Sequence, residues 1–169
     1  KVNAKTSSIE PLVSDEVIPD VVDKFKPEAV LNIKYGKKKV EFGNEFTVED
    51  TQQAPNVSFV LDKSDYDNKC QYTLVMNPTL RESLHWIVGN IPSNGKLSKA
   101  TQFDDYIGPA PPSQTGFHRY VFLLYRQPVP HIEYPQLNDS ARLGFKTRQF
   151  AEQYGLKLIS ANYFKCKRD

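Results

Sequence analysis

The stretch Asp104-Asp105-Tyr106-Ile107-Gly108-Pro109-Ala110-Pro111-Pro112-Ser113-Gln114-Thr115-Gly116-Phe117-His118-Arg119-Tyr120-Val121-Phe122 joins a stiff loop to an apolar strand. Its three prolines fix φ near −65° and lower the entropy of the loop. Gly108 and Gly116 permit a close backbone approach or a positive φ. The chain then turns strongly apolar and aromatic, as a buried strand does. His118 and Tyr120 are two residues apart and therefore share one face of that strand, while Arg119 faces the other way. A stiffened loop beside a histidine and a tyrosine is suited to hold a small polar ligand. The bland alternative is that Pro111-Pro112 makes a turn and His118 satisfies a hydrogen bond in the core.

Working outward, the same signature of short strands recurs. Ala29–Tyr35 and Lys39–Phe42 alternate around Tyr35-Gly36 and predict a hairpin. Asn56–Leu61, Tyr72–Met76, His85–Ile91, Tyr120–Arg126 and Leu158–Tyr163 are rich in Val, Leu, Ile, Phe and Tyr, with Pro, Gly, Asn and Asp between them. Several short strands with turn signals between them argue for an antiparallel sandwich. Helices are few. Val17, Val21, Val22 and Phe25 are at helical spacing and predict a short helix over Val17–Phe25. Thr147–Tyr154 reads as a second, with Phe150, Ala151 and Tyr154 on one face and Gly155 as its stop. Residues 1–15 show little periodicity and read as a flexible N-terminal arm, leaving 16–169 as one domain. The twelve prolines suit such a loop-rich β domain and would break a helical bundle.

The 169 residues are 39% hydrophobic and 25% charged, enough for a core without a metal or disulfide scaffold. Net charge is +2, and no basic run exceeds Lys37–Lys39, which predicts no nucleic-acid partner. No apolar stretch approaches the ~20 residues of a transmembrane helix. The N-terminal Lys1–Lys5 lacks the apolar centre of a signal peptide, though it is also compatible with a mature end left by cleavage. The compartment therefore stays open. Cys70 and Cys166 match no metal spacing; they read as two free thiols or, alternatively, as a disulfide that implies an oxidising compartment. Asn56-Val57-Ser58 and Asn138-Asp139-Ser140 match the N-glycosylation pattern, a weak signal. Hydrolase elbows, His-Glu-x-x-His and phosphate-binding Walker loops do not occur, so no catalytic residue, cofactor or metal is expected.

The run through Gly108, Pro111-Pro112 and Thr115-Gly116 to His118-Arg119-Tyr120-Val121-Phe122 resembles the second signature of the phosphatidylethanolamine-binding protein family. Leu80-Arg81-Glu82-Ser83-Leu84-His85-Trp86-Ile87-Val88-Gly89-Asn90-Ile91-Pro92 is similar to another family strand. Tyr72–Met76, the helix Phe150–Leu156 and the opening Val17-Ile18-Pro19-Asp20 agree with it. The resemblance spans roughly residues 16 to 169 and implies an antiparallel β-sandwich with a few short peripheral helices. It further implies a non-enzymatic pocket for a small anion or phospholipid head group. Carried over, that pocket is lined by His85, His118, Tyr120, Gly108, Pro111 and Pro112. A histidine donor and stiff backbone N–H groups are apt ligands for a phosphoryl oxygen. His131, in a Pro-rich loop, receives no role. The family also includes peptidase inhibitors and kinase regulators, so a protein partner is an alternative, as is a structural protein with a decayed pocket. A monomer is expected.

Two departures stand out. The family's acidic Asp-Pro-Asp-Ala-Pro-Ser-Arg loop is expected after Met76, yet Met76 runs directly into Asn77-Pro78-Thr79-Leu80-Arg81-Glu82. Either the protein has lost the loop and its pocket is more open, or residues exist there that this sequence lacks. Relatives also continue past the last strand into a short helix that closes the pocket, whereas this chain stops at Lys165–Asp169.

Overall fold

The computed structural model describes residues 8–63, 69–78 and 83–169. Two sheets face each other. The smaller has order β2-β1-β4, from β1 (Ala29–Tyr35), β2 (Lys38–Lys39) and β4 (Asn56–Leu61). The larger runs β3-β9-β8-β5-β6-β7, from β3 (Asn44–Phe46), β5 (Gln71–Pro78), β6 (Trp86–Pro92), β7 (Thr101–Asp104), β8 (His118–Arg126) and β9 (Lys157–Cys166). All pairs are antiparallel except β3 with β9. The expected hairpin is present: Tyr35 pairs with Lys38 across Gly36-Lys37, and Gly36 takes the positive φ of 60° that this tight turn favours.

The central strands of the larger sheet do not alternate between buried and exposed. β5 is buried from Tyr72 to Pro78, and β8 from Tyr120 to Tyr125. The reason is that both faces are covered. One face, carrying Tyr72, Leu74, Met76, Tyr120, Phe122, Leu124 and Phe164, packs against Leu31, Ile33, Tyr35 and Phe59 of the smaller sheet. The opposite face, carrying Val75, Ile87, Val121, Leu123 and Tyr163, is covered by an N-terminal segment, by Ile132 and Tyr134, and by Phe150 of α4 (Thr147–Tyr154). The α4 helix ends as expected on Gly155, with φ 64°.

The N-terminal segment departs from both expectations made for it. Residues 1–7 lie outside the described residues. Glu10–Ser14 is not a loose arm but a short helix, α1, with Leu12 buried in the second core and Pro11 in the first turn, where its missing N–H costs nothing. The helix predicted over Val17–Phe25 shrinks to α2 (Val17–Asp20). Ile18 sits at φ −103°, ψ 117°, as the residue before a proline prefers, and Ile18-Pro19 is cis. Val17, Val21 and Val22 are buried all the same, so their spacing reported burial and not helix.

Ion pairs fasten this segment to the sheet. The Asp15 side chain accepts from the Tyr163 hydroxyl and, at 3.1 Å, from Lys165. Arg119 of β8 donates to the Asp15 carbonyl and, at 3.0 Å, to the Asp20 carboxylate. These bonds hold the Asp15 carboxyl below its ordinary pKa, the Tyr163 hydroxyl being the main cause. Leu12→Ala should therefore cost about 2–4 kcal/mol, the cost of emptying a buried leucine site. Chemical denaturation of the folded variant checks this; a loss below about 0.5 kcal/mol would restore the loose-arm reading.

Candidate functional site

The segments carrying the expected pocket residues meet at one end of β5, β6 and β8. Pro78 of β5 pairs with Tyr120 of β8, and the His85 N–H bonds the Met76 carbonyl at 3.0 Å, just ahead of β6. His85 is 6% exposed, and its ring meets Tyr120 edge-on with centroids 5.4 Å apart. Tyr120 is fully buried and stacks on Phe164 of β9 at 5.4 Å. His118 lies two residues before Tyr120 on the same strand, half-buried, while Arg119 faces the opposite side, against α1 and α2.

The Pro-rich loop is tied to both histidines. Ile107 clasps His85 twice: its N–H bonds the His85 carbonyl at 2.9 Å, and its carbonyl accepts from Nδ1 of the imidazole. Gly108 follows immediately. A Cβ there would lie 2.9 Å from Cα of Gln52, so only glycine lets the loop press on this neighbour. Gln52 Nε2 closes the contact by donating to the Pro109 carbonyl at 2.9 Å. At the far end of the loop, the Thr115 hydroxyl donates to the Pro112 carbonyl at 2.7 Å and lies 2.6 Å from Nε2 of His118. Pro111 is buried and Pro112 exposed. His85 is thus joined to Tyr120 directly and to Gly108 through Ile107, His118 is joined to Pro112 through Thr115, and Pro111 lies between Gly108 and Pro112 in the loop.

These bonds determine where the protons sit. A carbonyl can only accept, so Nδ1 of His85 carries hydrogen, and in the neutral ring Nε2 carries the lone pair. Thr115 gives its one hydroxyl proton to Pro112, so Nε2 of His118 is the donor in that pair. Burial pushes the His85 pKa below its ordinary value; the Ile107 carbonyl works against that shift, and the charge of Arg142 adds to it.

Arg142 is a residue that sequence reasoning did not find. It lies on α3 (Asp139–Leu143) and is 6% exposed. Its carbonyl accepts from Leu84 N–H at 2.9 Å, and its Nη2 donates to the Asp105 carbonyl at 2.6 Å. It therefore grips the chain just before His85 and the chain just before Ile107. Nη1 has no hydrogen-bond partner among the described residues, and neither does Oδ2 of the nearby buried Asp104. The available signal was Asn138, read only as a glycosylation triplet. Its side chain caps α3 by accepting from Ala141 N–H at 2.8 Å.

Residues 79–82, directly ahead of Ser83-Leu84-His85, lie outside the described residues, and so do the Leu80-Arg81-Glu82 part of the resemblance and most of the junction where the acidic loop was expected. Five cavities of 240–600 Å³ among the described residues are lined by neither His85 nor His118. One of them, of about 600 Å³, adjoins the site through Phe117 and is lined also by Phe46, Lys167 and Arg168. Among the described residues no three His, Cys, Asp or Glu side chains gather as a metal site, and no helix is long and apolar enough to cross a membrane. Cys70 and Cys166 form no disulfide. His131, which was given no role, pairs with Glu133 at the surface at 2.7 Å.

The phosphatidylethanolamine-binding protein family model matches residues 21–164. The chain belongs to this family. It is 35% identical to Protein TERMINAL FLOWER 1 of Arabidopsis thaliana over 177 residues, covering 99% of this chain and 96% of that one. That aligned stretch is longer than the 169-residue chain, so it holds relative residues with no counterpart here. In structure, the chain resembles the phosphatidylethanolamine-binding protein of Plasmodium vivax, with TM-score 0.81, 20% identity and coverage of 98% and 100%. It also resembles a carboxypeptidase Y inhibitor solved with its cognate proteinase, with TM-score 0.82, 22% identity and 95% coverage of both chains. At these identities the two structures establish the fold, the β-sandwich expected from the strand pattern.

The depressed pKa of His85 has a consequence for stability. A group that binds its proton more weakly when folded favours the unfolded chain once pH falls below its unfolded value of about 6.5. Stability should therefore be full above that pH and decline below it, down to the lowered folded value. His85→Gln should flatten this part of the profile, as measured by denaturation between about pH 5 and 8. An unchanged slope would place the cause elsewhere.

Proposed function

We propose that the protein is a non-enzymatic binding module that holds a small oxyanion, such as the phosphoryl group of a phospholipid head group, between His85 and His118. The observation that supports this reading is that one proline-stiffened loop braces both imidazoles, His85 through Ile107 and His118 through Thr115, with the His85 ring set edge-on against Tyr120. Gly108, Pro111 and Pro112 supply a rim that loses little entropy on binding. Tyr120 walls the base. A head-group site need not bury an acyl chain, so lipid transport does not follow from it. The reading is supported by the family membership of the chain.

The site would act as a regulator of a protein partner, its occupancy setting the shape of the exposed loop from Pro112 to Phe117. A peptidase-inhibiting role is the second reading, and the fold shared with a carboxypeptidase Y inhibitor favours it. The two readings separate in the test tube. O-Phosphorylethanolamine titrated into the protein should shift the imidazole NMR signals of His85 and His118 together. Silence at both, in a folded sample, would remove the pocket. Addition of the protein to carboxypeptidase Y tests the inhibitor reading directly, and an undiminished peptidase rate at a large excess would discard it.

A further inference from the structure

The hydrogen bonding of His85 poses a problem for an anion. Its Nδ1–H is spent on the Ile107 carbonyl, a partner that cannot donate. The remaining ring nitrogen, Nε2, carries a lone pair when the imidazole is neutral, and a lone pair repels an oxyanion. Only a proton on Nε2 turns this group into a donor.

The surroundings disfavour that proton. The ring is 6% exposed. From β8 it meets Tyr120, from β5 the Met76 carbonyl bonds its backbone, and from the loop after β7 Ile107 holds Nδ1. From α3 comes the cation Arg142, whose charge weighs further against an imidazolium. The neighbouring carboxylate, Asp104, spends Oδ1 on the Leu137 N–H at 2.8 Å and lies toward Arg142. Among the described residues no carboxylate bonds the His85 ring. A negative charge is what the ring lacks, and an arriving oxyanion supplies it.

We infer that the site binds its oxyanion together with one proton, which comes to rest between Nε2 of His85 and the ligand. The balance is simple. A phosphomonoester monoanion brings its own P–OH, which donates to Nε2 or passes its proton there. A fully ionised anion such as sulfate, or the diester phosphate of a lipid, requires that the proton come from solvent. The ligand class is therefore an oxyanion accompanied by a proton, and binding weakens as pH rises. The inference rests on the oxyanion-binding reading of the same site.

Inorganic sulfate separates the two claims, because it does not titrate across the neutral range. Calorimetry at pH 7.5 in two buffers of different ionisation enthalpy should show uptake approaching one proton per sulfate bound. The Kd should rise roughly tenfold per pH unit between about pH 7 and 8.5. Nitrogen-15 NMR of the His85 ring should change from the neutral Nδ1–H pattern to that of an imidazolium when sulfate is added. Sulfate binding with no proton uptake, or with the His85 ring unchanged, overturns the inference and leaves the oxyanion site standing. Failure of both sulfate and phosphate to bind at any pH from about 5 to 8 removes the site, and the inference with it.

Discussion

Everything in this molecule hangs on one sheet that is apolar on both sides. The middle strands, β5 and β8, present Leu74, Met76, Tyr120 and Phe122 to one core and Val75, Val121 and Leu123 to the other. Neither face can be left to water, since each fully buried large side chain is worth about 1.5–3 kcal/mol. The smaller sheet covers one face, and α1, α2, α4 and the chain around Ile132 and Tyr134 cover the second. Double burial also explains why the site can be exact in its geometry. Tyr120 is paired on both sides, with Pro78 and Phe164, so its backbone position is set by packing and not by the loop that reaches it, while His118, at the start of the strand, pairs with Cys166.

The site itself is assembled from pieces distant in the sequence by a small set of backbone contacts. Ile107 and His85 hold each other through reciprocal bonds, and Arg142 holds the chain ahead of both. A side chain gripped in this way has one ring nitrogen committed and one left for chemistry. On the proposed reading, that asymmetry, more than the identity of the residue, decides what kind of ligand the site would accept. Arg142 stabilises the arrangement mechanically while opposing the charge that a ligand would need, so its two effects on the site run in opposite directions.

Much of this was legible in the chain. The alternation in Ala29–Tyr35, the turn at Tyr35-Gly36 and the stop at Gly155 were read correctly because each depends on local chemistry. The family signature pointed to His85, His118 and the Gly108–Pro112 loop, and the separate ties of each histidine to the loop through Ile107 and Thr115 follow no local rule. The short strands β3 and β7 escaped notice because three or four residues carry too little pattern to separate from loop. The helix predicted over Val17–Phe25 failed because apolar spacing records what is buried, and here a proline decides the backbone. Arg142 was missed for a different reason. Charged side chains are almost never fully buried, and its burial follows only from the tertiary bonds to Asp105 and Leu84.

The lengths of the outermost strands carry a further implication. β2, β3 and β7 contain two, three and four residues, and both residues of β2 are exposed lysines. Such margins offer few unpaired backbone groups and place charge where a foreign chain would lie down, which discourages stacking of molecules into extended fibres. β4 is the exception, six residues long with Val60 half exposed. There the chain at Gly95 lies against the Phe59 backbone, close enough that a Cβ would meet its carbonyl, and so covers part of that margin as well.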